Sequence, residues 1–194
     1  MTYLKHTPLD ETAFPPFAGV KSLFGFIPNL FQAQTMRTDI VEAEIQLTGA
    51  ILANEGALSR QQKGYVFLVC SAANLSTYCV TAHCEIVRLL GLKGPKPEKV
   101  ALDYVNTDIP VRDKALLNFA LRLNAAPTRM TSHDIDGLRT YGFSEQQILE
   151  AVVIVSFAKF ANWLAFGLGT LPDFEAIKLP GALPEGHDAP QPRG

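Results

Sequence analysis

The sequence predicts an all-α protein, and three observations carry that prediction. Apolar residues recur at helical spacing along most of the chain, as in Ile40, Ala43, Leu47, Ala50 and Ile51. Serines stand where helices should begin, at Ser59, Ser76 and Ser144. No segment shows a clear period-2 strand. Ala151 to Phe157 is rich in Val and Ile and would also suit a buried strand, but its helical neighbours and the Ser144 cap argue for helix.

Taken in order, residues 1–30 carry Pro15, Pro16 and Pro28 among several Phe and read as an extended arm lying on the body. A body follows over 31–171, then a Pro-rich tail over 172–194 with Pro180, Pro184, Pro190 and Pro192, its end expected to be loose. Pro28-Asn29 opens a helix expected to run from Leu30 to Asn54. Glu55-Gly56 should stop it, with Gly56 in a left-handed cap. Leu58-Ser59 starts the next helix, apolar nearly all round from Tyr65 to Ala73. Asn74-Leu75-Ser76 breaks it, and another runs from about Thr77 to Leu90, ended by Gly91. Gly94, Pro95 and Pro97 read as a loop; Asp113 to Asn124 and Ser132 to Thr140 as shorter helices; Glu145 to Leu168 as the last long one.

A weak internal repeat relates two of these segments. Ser59, Gln61, Gln62, Ser71 and Ala73 recur 85 residues later as Ser144, Gln146, Gln147, Ser156 and Ala158. A degenerate helical repeat and two unrelated helices with a Ser start remain open as alternatives. If the repeat holds, Leu164 and Leu168 stand opposite Cys79 and His83, so the second copy lacks their chemistry.

Composition excludes several classes of function. Apolar residues are 47% and charged residues 19% of 194, a globular balance in a chain long enough for one core. The net charge of −2, without a basic stripe, predicts no nucleic-acid partner. The uncharged stretch from Gly64 to Cys84 is too polar for a bilayer, so no membrane span is expected there. Met1 to Glu11 does not read as a signal peptide, and three cysteines clustered within 15 residues do not read as a disulfide framework. A reducing, cytoplasmic setting follows as the expectation. The apolar circumference of the helices at 64–73 and 148–168 predicts a homo-oligomer, a dimer or a multiple of one.

Chemistry concentrates in Ser76-Thr77-Tyr78-Cys79-Val80-Thr81-Ala82-His83-Cys84. Cys79 and His83 are one helical turn apart, on a face continued by Ala82, Ile86 and Leu90, with Thr81, Glu85 and Arg88 opposite. With Ser76 as N-cap, Cys79 is the third helical residue, where the helix dipole and a charged His83 would favour a thiolate. The blander reading makes Cys79 a small buried hydrophobe and His83 a hydrogen-bonded core residue. Cys84, five residues on, would lie about 8–9 Å from Cys79, beyond the ~7 Å reach of a disulfide. Cys70 reads as core, yet it would meet Cys79 if the break at 74–76 folded it back. Cys79, His83 and Cys84 do not match a structural zinc spacing, so no metal is expected.

The stretch from Leu58-Ser59-Arg60-Gln61-Gln62 to Arg88-Leu89-Leu90-Gly91 resembles the signature helix pair of the alkylhydroperoxidase D / carboxymuconolactone decarboxylase superfamily. Gly25-Phe26-Ile27-Pro28-Asn29-Leu30 and Ser71-Ala72-Ala73-Asn74 are similar to its uncharacterized peroxidase-related branch, and the resemblance spans most of residues 20–170. In the family a Cys-x-x-Cys-x-x-x-His motif follows a Leu-Ser helix start, with a Glu about three turns before the first Cys. Cys79 and His83 match the second Cys and the His. Ser76 stands in place of the first Cys, Gly64 in place of the Glu, and Tyr78 where some members have His.

The resemblance implies an alkylhydroperoxidase D-like helical bundle and a thiol-dependent peroxidase, without metal, haem or other cofactor. Cys79 would attack a hydroperoxide, with His83 handling the proton and Tyr78 donating a hydrogen bond. Resolution would fall to Cys84, Cys70 or an external thiol reductant. A decarboxylase acting through His83, helped by Arg60, Lys63 or Arg88, is the alternative, and a non-catalytic oligomeric protein a third. Without Ser76 being Cys, no intramotif disulfide forms. Without a carboxylate at Gly64 the relay lacks its usual base; His83 could still hold the proton, and a carboxylate elsewhere in the chain could replace the missing one.

Overall fold

A computed structural model describes residues 2–182; Pro184, Pro190, Pro192 and the rest of the expected tail end lie outside that range. Among the described residues the regular structure is helical, with no strand. The α-helices are α1 (Phe17–Phe24), α2 (Asn29–Gln32), α3 (Thr38–Thr48), α4 (Arg60–Ala73), α5 (Thr77–Leu89), α6 (Pro97–Asp103), α7 (Val111–Ala125), α8 (Ser132–Thr140) and α9 (Glu145–Leu168).

Helix α4 is the hub, packed by α5, α6, α7 and α9. Every residue from Lys63 to Ser71 is buried, as the apolar circumference of this segment demands. This chain alone therefore covers α4. That part of the case for an oligomer falls away, and only α9 keeps an apolar outer face: Leu149, Phe160, Trp163 and Phe166 are exposed while Ile148, Ala151, Ile154 and Val155 face the core.

Helices α4 and α9 start alike. Ser59 Oγ accepts from Gln62 N–H while the Gln62 side chain accepts from Ser59 N–H, and Ser144 with Gln147 repeats this reciprocal cap. Their paths then diverge. The α4 copy ends at Asn74, whereas the α9 copy runs unbroken through the matching Lys159.

Three expectations need correction. The arm is not simply extended, for it contains α1, whose Phe17 packs with Phe14 and Val41 in a small second core. The helix expected over 30–54 is interrupted: α2 ends at Gln32, a 3-10 turn covers Thr35–Arg37, and α3 continues into a π-turn at Gly49–Ala53. The loop at 94–97 leads directly into α6, with Pro97 as its first residue, where a missing N–H does no harm.

Gly56 is needed for space, not for a left-handed cap, since it is absent from the positive-φ residues. A Cβ there would stand 2.5 Å from Glu150 Oε1. That carboxylate accepts from Ala57 N–H at 2.7 Å and Leu58 N–H at 2.8 Å. It also lies 3.9 Å from Lys63 Nζ, which is itself buried and donates to Asn54 O at 3.0 Å. Glu150 thus pins the connection before α4 to α9. Glu150→Ala should strand two amides and a buried ammonium, lowering unfolding free energy by about 3–5 kcal/mol, as read from urea denaturation.

Candidate functional site

The site is made by the break between α4 and α5. Leu75 closes α4 with φ +60, a conformation that strains a branched residue by roughly 1–2 kcal/mol. A polar cluster holds it there. Asn74 Nδ2 donates to Asn124 Oδ1 of α7 at 3.0 Å and to Asn162 Oδ1 of α9 at 2.8 Å. Asn124 Nδ2 and Lys159 Nζ donate back to Asn74 Oδ1 at 2.9 and 3.2 Å, and Asn162 Nδ2 donates to Ser71 Oγ at 3.0 Å. The first turn of α5 then delivers Tyr78 and Cys79 into the protein.

Cys79 is buried and is the third residue of α5, as the sequence indicates. It lines a cavity of about 110 Å³ with Tyr78, His83, Glu44 and Asp173, walled by Phe31, Phe67 and Phe157 among others. His83 stacks on Phe67, centroids 4.2 Å apart, and its ring is only 5% exposed. The face continued by Ala82, Ile86 and Leu90 opens onto cavities. Thr81 is not on an outer face: it is buried, and its Oγ1 accepts from Ile177 N–H at 3.0 Å.

The electrostatics differ from the sequence expectation. Burial pushes the Cys79 thiol up to about 11, the neighbouring Glu44 charge adds to the rise, and the polar groups of nearby Ser76 and Asn162 oppose it without winning. Burial pushes His83 down to about 4, so the imidazole is neutral near pH 7 and supplies no charge to a thiolate. Burial therefore works against the depressed thiol pKa expected from the sequence. The helix end is worth under about 1 kcal/mol and is overridden by desolvation.

Ser76 holds the N-cap position but makes no capping hydrogen bond, and its buried Oγ has no hydrogen-bond partner. Tyr78 does not turn its hydroxyl to the thiol. It donates to Asp173 Oδ2 at 2.8 Å and accepts from Leu30 N–H at 3.1 Å. Cys70 and Cys84 are free and buried, and burial pushes both thiols up to about 12. Cys70 Sγ points at α7, 3.9 Å from Ala120 O, not toward α5. Neither lines the cavity of Cys79.

Sequence reasoning missed two carboxyls. Glu44 of α3 is 4% exposed and points inward among apolar groups. Burial raises its pKa against a 2.8 Å hydrogen bond from Gln34 Nε2. Asp173 is likewise raised by burial, opposed by Asn29 N–H and Tyr78. Amphipathic phase was the available signal for Glu44, which follows buried Val41 by three residues and so shares its inward side.

Among solved structures the whole architecture recurs. An uncharacterized peroxidase-related protein with the alkylhydroperoxidase D core, from Ralstonia eutropha JMP134, superposes with a TM-score of 0.81 at 28% identity, covering 90% of this chain and 93% of that one. The chain belongs to the alkylhydroperoxidase D-like superfamily. A second uncharacterized peroxidase-related protein, from Silicibacter sp. TM1040, gives 0.81 at 23% identity over 93% and 95% of the two chains. The debrominase Bmp8, as a cysteine-to-alanine variant with 2,3,4-tribromopyrrole, gives 0.75 at 21% identity over 89% and 94%. No protein-family model matches the chain, and no curated protein does.

The neutral His83 of this alkylhydroperoxidase D-like chain has a consequence for stability. Between about pH 4 and 6.5 the unfolded chain binds a proton at this histidine that the folded chain does not, so stability falls as pH drops through that window. The full effect is on the order of 3 kcal/mol. Glu44 and Asp173, raised by burial, act with the opposite sign, favouring the fold at low pH. His83→Leu should flatten the loss between pH 6.5 and 4 in urea titrations, and an unchanged slope would mean His83 is charged in the fold.

Proposed function

We propose that the chain is a thiol-dependent peroxidase reducing hydroperoxides at Cys79. One observation carries this reading: a thiol, an imidazole without a protein hydrogen bond among the described residues and a buried carboxyl line one small apolar cavity. Cys79 attacks the distal peroxide oxygen. The S–O bond forms as the O–O bond breaks, giving a sulfenic acid and an alcohol. His83, neutral, takes the thiol proton during attack and returns it to the departing oxygen, so no standing thiolate is required. Glu44 supplies the negative charge that steadies the imidazolium in transit, standing in for the carboxylate missing at Gly64. Since Cys70 and Cys84 lie off the cavity, an external thiol resolves the sulfenic acid as a mixed disulfide with loss of water, and a second thiol restores Cys79. The three free cysteines suit the reducing cytoplasm in which we place the protein.

The aromatic walls favour a second reading. Phe24, Phe26, Phe31, Phe67, Phe157 and Phe174 would sandwich a flat ring, and Bmp8, a debrominase of the same fold, is the precedent. Bromide release from 2,3,4-tribromopyrrole in the presence of a thiol tests it. The decarboxylase reading keeps only Arg60 of its three basic residues, because Lys63 is held by Asn54 and Glu150 and Arg88 is paired with Glu85 and Glu98. A second copy covering the apolar outer face of α9 is the partner we propose for assembly.

Three outcomes are expected. Hydroperoxide consumption with dithiothreitol should vanish in Cys79→Ser, fall by about 10²-fold in His83→Gln and about tenfold in Glu44→Gln. With the relay intact the rate should be flat from near pH 5 upward, while His83→Gln should make it climb about tenfold per pH unit toward the thiol pKa of about 11. First oxidation at Cys70 or Cys84, seen by mass spectrometry, would leave the non-catalytic reading as the better one. For assembly, light scattering should give a multiple of 21.2 kDa, and Trp163→Glu with Phe166→Glu should reduce it to one chain.

A further inference from the structure

A larger cavity adjoins the first. It is about 350 Å³, within the range of small-molecule sites. Its floor is Val20, Gly64, His83 and Val87, all buried, so it is a recess and not a flat apolar patch. Phe24, Phe31, Thr48, Leu52, His83 and Ile86 line both cavities, which makes the imidazole part of the wall between them.

Two local features shape this recess. Gly64 lines it, and a Cβ there would already stand 3.3 Å from Val87 Cγ2, so a longer side chain would have to take cavity space. The residue that replaces the family's carboxylate is thus the one that leaves room for a ligand. The π-turn Gly49–Ala53 contributes Gly49, Leu52 and Ala53 to the opposite wall. Such turns widen a helix locally and recur where ligands sit.

Besides the neutral His83, the lining holds one charged side chain. Arg60, the first residue of α4, is exposed and forms no ion pair or hydrogen bond among the described residues. Lys63, one turn on, is fully engaged elsewhere. An apolar recess with a lone unengaged guanidinium on its wall matches an aliphatic chain ending in a carboxylate.

We propose that this cavity binds the hydrocarbon chain of an aliphatic carboxylic acid, with its carboxylate on Arg60 and the chain running past His83 toward Cys79. The inference deepens the peroxidase reading, on which its last part rests: the substrate would be the hydroperoxide of such an acid. Reduction would convert the C–O–O–H group to C–O–H, with oxygen passing to sulfur as above and the carboxylate unchanged.

Binding can be tested without peroxide, which separates this inference from the activity. Calorimetric titration of the intact protein should show decanoate binding more tightly than decanol. Arg60→Gln should weaken decanoate by about fivefold, the scale of an exposed charge pair, and leave decanol unchanged. Gly49→Leu, at a position where a Cβ meets nothing within 4 Å, should weaken both ligands. Thermal melts of both variants establish that they remain folded. Equal binding of acid and alcohol, an unmoved Arg60→Gln, or no binding at all would overturn the proposal. Decanoate binding as described, with no turnover of any hydroperoxide, would uphold the site and remove the peroxidase reading.

Discussion

The polar cluster centred on Asn74 is the constraint on which the rest of the site depends. An uninterrupted α4 would run straight past the cavity, as α9 does in its matching stretch. Instead Asn74 bonds to α7 and α9 together, and its partners reach on to Ser71 and Lys159. Buried amides are expensive to leave unpaired, so the cluster admits few geometries. The strain at Leu75 is offset by those bonds, and the direction of α5 is fixed by them. Cys79 then owes its depth to Asn74 more than to its own burial preference.

Depth decides the chemistry. At the mouth of a helix in water, the dipole would favour a thiolate; here desolvation is the larger effect and raises the thiol while lowering the imidazole. The two shifts push thiol and imidazole further toward their neutral forms. A relay that moves one proton across the reacting atoms fits such a pair, and a pre-formed ion pair does not. Glu44 matters in this setting because a buried carboxyl lining the same cavity lies at low dielectric, where a charge on it would be little screened.

Much of the fold was legible because its signals are local. Ser59 and Ser144 marked two helix starts correctly, and Asn74-Leu75-Ser76 marked the break. What failed was mostly long-range. Gly56 read as a cap, but Glu150, distant in the chain, explains it. Tyr78 read as a partner of the thiol, but Asp173 claims its hydroxyl. The π-turn that extends α3 has no sequence signature of its own. The site was legible as far as the pair Cys79 and His83; the carboxyls were not, because their place depends on how α3 and the segment after α9 lie across α5.

Position 64 links the two cavities physically: Gly64 lines the larger one and Glu44 the smaller, with His83 on both. A carboxylate at 64 would put a charge and several atoms into the recess beside His83, taking space that the glycine leaves open. Glu44 carries its charge on the other side, with Gln34 to satisfy one oxygen. With no side chain at 64 and a carboxyl on α3, an acid lines the cavity of the thiol while the larger space stays clear. His83 thus has the larger apolar recess on one side and the cavity of Cys79 on the other, which is the geometry the proposed ligand would need.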